Sequence, residues 1–293
     1  MRPLTAIAGA AVVAGAAAYL LLGRSAEGAT TYGAMGVPGG IYPLRLRNAP
    51  FPSQPGPSAM LVVPPGFRPD APLRVCVYFR GWSNCVSTVV GDRDAPCTPG
   101  GVTHRAFQLA EQLAASGTQT LLLAPELRVE ARSSDPGETA RPGGLVAMLD
   151  EVLREHLPPS IGPRQVSDMV SLGLMAHSGG GQSLASAVRQ APPALRSVAL
   201  LDALYGDVRT FADWLAPVDP ARRFACIYTD GGGTAANALA LSSRTTGDVL
   251  RDTTSGTLTP EQLRAYPTIF KRSALSHDGV AQYYPQRLWS AGW

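Results

Sequence analysis

Leu73-Arg74-Val75-Cys76-Val77-Tyr78-Phe79 carries one charge in seven residues. A strand with one wet face alternates apolar and polar side chains. A strand that is apolar at nearly every position has to be covered on both faces. The same pattern returns at Thr120–Ala124, Val170–Met175, Ser197–Leu201 and Arg223–Thr229, with a last such run starting at Thr268. Stretches of helical period separate these runs. Repeated alternation of this kind predicts parallel strands joined by right-handed crossovers, with helices on both faces. The expected fold class is therefore α/β, a three-layer arrangement around a mostly parallel central sheet. Sites in such sheets form beyond the carboxyl ends of strands. Arg80, Ser178, Asp202, Asp230 and His277 all fall there.

The intervening helices have readable ends. Thr103 is placed to cap a helix over 104–116, with Gly117 as its stop. Leu145–Leu157 presents Leu145, Met148, Leu149, Val152 and His156 on one side before Pro158, which makes His156 structural. Further helices are expected after Asp207 and over 234–242. Thr259-Pro260-Glu261-Gln262 combines a cap, a proline at the first helical position and a capping-box Gln.

The run ending at Met175 passes without a linker into Ala176-His177-Ser178-Gly179-Gly180-Gly181 and then into a helical pattern. That is a strand, a sharp turn and a helix, with a serine at the apex. Such a turn projects the hydroxyl off the sheet and aims the next backbone N–H at a developing oxyanion. Small neighbours are what so tight a turn requires. The bland alternatives are a helix cap at Ser178 and an anion cradle at the glycines. Asp230-Gly231-Gly232-Gly233-Thr234 lacks the Gly-Lys-Ser/Thr ending of a phosphate loop, so nucleotide binding is not expected.

With Ser178, a following acid and His277 in that order, the chain from about residue 58 to 293 resembles the α/β-hydrolase superfamily. Val62-Val63-Pro64-Pro65-Gly66-Phe67 and Val77-Tyr78-Phe79-Arg80-Gly81-Trp82 look like the opening of secreted esterases of the polyester-depolymerase and feruloyl-esterase type. Two departures stand out. Ala176 replaces the usual first Gly of the elbow, and Arg80 stands where those families commonly carry His.

The resemblance implies a serine hydrolase acting on an ester. Ser178 would be the nucleophile, His277 the base, and the amides of Gly179 and Trp82 the oxyanion donors. His104 and His156 read as helical, and His177 as held beside the nucleophile but pointing elsewhere. The acid is open between two residues. Asp202 directly follows a fully apolar strand, where an unpaired carboxylate is costly. Asp230 opens a Gly-rich turn, where an Asp has a ready structural role. Asp202 is preferred and Asp230 is the alternate. An amidase or peptidase would use the same groups, and a non-catalytic surface-binding domain of the same fold is the rival reading.

Arg2 precedes Leu4–Leu22, nineteen residues without a charge. Residues 1–23 thus read as either a signal peptide or an uncleaved membrane anchor, which predicts an exported chain. Residues 24–57 read as a Pro/Gly-rich linker, and 58–293 as the catalytic domain. Cys85 and Cys97 can pair in an oxidising compartment, whereas Cys76 and Cys226 lie in apolar runs. Net charge is +3 and no dense basic block occurs, so nucleic acid is not an expected partner. No cofactor or metal is implied, and the expected partner is a small or polymeric ester.

Overall fold

The computed structural model describes residues 39–293 and, by its backbone, the two-residue strand β1 (Thr30–Thr31). The apolar run Leu4–Leu22 lies outside the described residues. Among the described residues no helix is long and apolar enough to cross a membrane.

The elements follow as β2 (Gly40–Leu44), β3 (Ala59–Val63), β4 (Leu73–Phe79), α1 (Val86–Val90), β5 (Ala95–Pro96), β6 (Thr103–His104), α2 (Leu109–Ser116), β7 (Thr120–Pro125) and α3 (Gly144–Glu151). Then come β8 (Met169–His177), α4 (Gly180–Gln190), β9 (Leu195–Leu201), α5 (Val208–Leu215), β10 (Arg223–Tyr228) and α6 (Ala235–Arg244). β11 (Val249–Gly256), α7 (Pro260–Ala265), β12 (Thr268–Ser273) and α8 (His277–Ser290) complete the chain.

Among the described residues ten strands form one sheet in the order β1-β2-β3-β7-β4-β8-β9-β10-β12-β11. The pairings β1/β2, β2/β3 and β3/β7 are antiparallel, and every pairing from β7 onward is parallel. Side chains alternate between two cores, as the strand period requires. Val75, Val77 and Phe79 of β4 face one core, with α3, α4, α5 and α6. Cys76 and Tyr78 face the other, with α1, α2, α7 and α8. This is the three-layer α/β arrangement expected from the sequence.

Register sets the site. Phe79 pairs with Ala176, and His177 pairs with Leu201. Ser178 and Asp202 therefore leave adjacent strands at one level, and Gly81, the residue after Arg80, lies against Ser178 from the other side.

Several expectations are corrected. Residues 40–57, expected as linker, belong to the fold. β2 pairs with β3, and Leu44, Leu46 and Ala49 are buried in the first core. Glu151 of α3 fastens the segment, accepting from Arg47 N at 2.8 Å and Asn48 N at 2.9 Å. Proline density hid a strand that pairs antiparallel near the sheet edge, where proline is tolerated. The helix expected over 104–116 begins only at Leu109. Thr103–His104 instead pairs with β5, and Asp94 accepts from Ala106 N at 2.8 Å. β11 carries no sequence signal, because its VLRDTTSG has no buried residue at the sheet edge and lacks an apolar run. Cys85 and Cys97 form a disulfide.

Candidate active site

Ser178 sits between β8 and α4 with φ of 53°, left-handed backbone that L side chains rarely adopt. Its N–H donates to Leu201 O at 3.2 Å, which pins the turn against the neighbouring strand. The glycines let α4 start immediately. A Cβ on Gly180 would meet the carbonyl oxygens of Phe79 and Arg80, so only glycine allows this close approach. Gly179 lies directly under the Trp82 indole, and a side chain there would displace the ring.

His277 bridges two of the expected residues. Its Nε2 is 2.8 Å from Ser178 Oγ and its Nδ1 is 2.8 Å from Asp202 Oδ2. Its place after the last strand, next to Asp278-Gly279, reads in the sequence as a loop. It is instead the first residue of α8, whose cap Ser276 accepts from Gly279 N at 3.1 Å. The ring is therefore carried on a helix end that packs against α2.

Asp202 is fully buried. Besides His277, it accepts from Thr229 Oγ1 at 2.5 Å, Thr229 N at 3.1 Å and Thr234 Oγ1. Burial pushes its pKa up, but the bonds from His277, Thr229 and Thr234 outweigh that and hold the carboxyl below its ordinary value. Asp230, the alternate acid, is not brought to His277. It is exposed and grips Arg272 with both oxygens, at 2.8 and 2.5 Å.

Thr229 and Thr234 escaped sequence reasoning, because an isolated Thr at a strand end or helix start has an ordinary structural use. Their signal was proximity in chain to Asp230, which pointed to the wrong aspartate.

His177 lies beneath His277, with ring centroids 4.6 Å apart, and meets the Phe107 edge. Its Nε2 is 3.0 Å from the His277 carbonyl oxygen. A carbonyl only accepts, so Nε2 carries the proton and Nδ1 keeps its lone pair. Burial, with His277 as a second cause, pushes the His177 pKa down to about 3. The ring is neutral at working pH.

Arg80 does not point into the site. It is buried against Glu126, Nε to Oε1 2.5 Å, and donates to Gly81 O at 2.8 Å and Arg128 O at 2.6 Å. The other Glu126 oxygen accepts from Val86 N at 2.8 Å. Burial pushes the Glu126 carboxyl above its ordinary range, against the opposing pull of Arg80. The pair fixes the loop that carries Gly81 and Trp82 beside Ser178. Neither Trp82 N nor Gly179 N donates to a protein acceptor among the described residues. Both amides are thus uncommitted next to the serine.

Ser134 reaches over from the polar stretch after β7 and accepts from the Trp82 indole at 2.8 Å. That stretch, Pro125 to Gly144, is polar with a turn at Asp135-Pro136-Gly137, and the sequence offers it as an overhang of the site. The stretch after Leu241, which the sequence also offers as a pocket wall, contributes His277 and Asp278 beside Ser178, whereas its strand β11 lies at the far edge of the sheet.

Three groups of side chains have metal-ligand spacing among the described residues: Cys97/His104/Glu130, His177/His277/Asp278 and Glu151/Glu155/His156. Their donors are already engaged: Cys97 in its disulfide, His277 between Ser178 and Asp202, and Glu151 on Arg47 and Asn48.

No family model and no curated protein matches the chain. Solved structures do. The feruloyl esterase module of Clostridium thermocellum, complexed with sinapinate, superposes with a TM-score of 0.53 at 11% identity, over 87% of this chain and 87% of that one. The chain has the α/β-hydrolase fold. Other similar structures include an S-formylglutathione hydrolase from Agrobacterium tumefaciens, with a TM-score of 0.49 at 12% identity over 90% of this chain and 98% of that one. The LpqC poly(3-hydroxybutyrate) depolymerase from Bordetella parapertussis gives 0.46 at 14% identity, over 89% and 91%.

Proposed function

We propose that the protein is a serine hydrolase that cleaves a carboxylic ester through an acyl-enzyme. The observation that carries this reading is the His277 imidazole, 2.8 Å from Ser178 Oγ on one side and 2.8 Å from a buried carboxylate on the other. A serine hydroxyl is a weak nucleophile at neutral pH unless a base removes its proton as it attacks. His277 Nε2 takes that proton. Asp202 holds Nδ1–H toward itself and stabilises the imidazolium. The carbonyl oxygen becomes an oxyanion facing the N–H groups of Trp82 and Gly179, each worth ~3 kcal/mol of barrier. His277 then returns the proton to the departing alcohol. A water, deprotonated by the same imidazole, releases the acid and restores Ser178.

Ser178→Ala and a fluorophosphonate probe test this directly. Labelling of the wild type that vanishes in Ser178→Ala, together with turnover of a short-chain ester, is the expected result. A folded wild-type protein that neither labels nor turns over any ester would remove the proposal.

We also propose that the chain works outside the cytoplasm, either released or anchored through residues 4–22. The apolar N-terminal run and the Cys85–Cys97 bond, which an oxidising compartment preserves, support this. Fractionation of expressing cells checks it, and recovery only with cytosolic proteins would refute it.

A further inference from the structure

Ser178 stands where two cavities of unequal size meet. The larger, about 420 Å³, is walled by Trp82, Ser134, Gln182 and Tyr205. The smaller, about 180 Å³, is lined by Asn84, His104, Arg105, His277 and Asp278. Ser178 and Trp82 border both, and His277 borders only the smaller.

Acyl transfer gives these cavities different occupants. The carbonyl carbon sits at Ser178 Oγ. The leaving oxygen must lie within hydrogen-bond reach of the group that protonates it, which is His277 Nε2. The alcohol part of the ester is therefore directed into the cavity that His277 lines. The acyl part, on the other side of the same carbon, is directed into the cavity that His277 does not line.

The walls agree with that division. Trp82 and Tyr205 are about half exposed and give the larger cavity aromatic faces. Gln182 and Asp207 also border a further depression of about 460 Å³, which Pro136, Ala140 and Pro142 wall on one side and Ser186, Arg189 and Gln190 on the other. The smaller cavity shares the Trp82 ring and also meets Phe107, but Asn84, His104, Arg105 and Asp278 add side chains that suit a polar group.

Resting on the serine-hydrolase reading above, we propose that the substrates are esters of a large, mainly apolar acid with a small polar alcohol. The Ser178 Oγ–acyl bond forms as the acyl–alcohol bond breaks. The serine proton leaves with the alcohol by way of His277, and water later takes the acyl group as the free acid.

Two ester series test the assignment by kcat/KM, measured with purified full-length protein in a pH-stat. One holds a methyl alcohol and lengthens the acid from acetyl to decanoyl. The other holds an acetyl group and enlarges the alcohol from methyl to 2-(1-naphthyl)ethyl, so that every leaving group is a primary alkanol. The expected result is a rise of tenfold or more along the first series and a fall of tenfold or more along the second. Gln182→Trp, which narrows the larger cavity, should move the optimum toward shorter acids. Arg105→Trp should sharpen the discrimination against large alcohols and leave the acid-length optimum where it was.

A flat or reversed pair of series, in protein whose Ser178 is labelled by fluorophosphonate, overturns the assignment and leaves the hydrolase reading standing. Absent labelling with absent turnover overturns both. Should either variant fail to fold, the two wild-type series decide alone.

Discussion

Ser178 and Asp202 both occupy left-handed backbone, with φ of 53° and 49°. Non-glycine residues there cost on the order of 1–3 kcal/mol each, so surrounding packing has to impose the conformation. Each lies just past a strand whose register is fixed on both sides, and the two residues face each other through His277. The two aspartates then make opposite predictions. Asp202→Asn removes the carboxylate that orients His277 and should lower kcat by roughly 10³–10⁴-fold, by analogy with triads in general. Asp230→Asn loses only an exposed pair with Arg272 and should stay within a few-fold of wild type. Steady-state rates on one short-chain ester decide between them.

His177 carries the pH prediction. Its pKa is about 3 in the fold against an ordinary 6.5. Between those values the unfolded chain binds the extra proton, so stability is complete above pH 6.5 and declines as pH falls toward 3. From pH 6.5 to 4.5 this one group should account for on the order of 2–3 kcal/mol. Urea unfolding at several pH values, compared with His177→Asn, should show a shallower acid slope in the variant.

Among the elements, the loop after β4 does most to prepare the site. Arg80 and Glu126 are both buried and lock its backbone from below. Removing one partner strands the other, so Arg80→Ala should cost about 3–5 kcal/mol. The same variant frees Gly81 and Trp82, and should lower kcat more than it raises KM, because the oxyanion donors act in the transition state. Calorimetry and a kcat–KM comparison check both parts. In the sequence Arg80 reads only as a departure from the families that the chain resembles. The structure gives it a task that requires Glu126, a residue 46 positions away that no local pattern links to it. The late start of α2 has a similar origin. Its expected first residue, His104, pairs in the β5–β6 ribbon near the disulfide and Asp94 holds Ala106 N, and local helical spacing cannot register a contact made across a covalent loop.

For the whole molecule, the antiparallel margin of β2 protects an otherwise bare β3, whose five residues Ala59–Val63 are all buried. A chain cut to begin at residue 58 exposes that edge, and unpaired apolar edges aggregate. It should precipitate or elute as large species in size-exclusion chromatography, whereas a chain beginning at residue 39 should remain soluble and label with fluorophosphonate.

Periodicity alone determined the parallel sheet, its covering helices and the placing of Ser178, Asp202, Asp230 and His277 at strand ends. Those properties follow from which residues must avoid water, and burial is written position by position along the chain. Tertiary structure decided which aspartate meets the histidine, what holds Arg80, where the fold begins, and that His277 rides on a helix rather than a loop. The first and third depend on register between strands distant in sequence, where a one-residue slip reverses every side chain of a strand; the Arg80 partner lies 46 positions away, and the helix that carries His277 packs against α2.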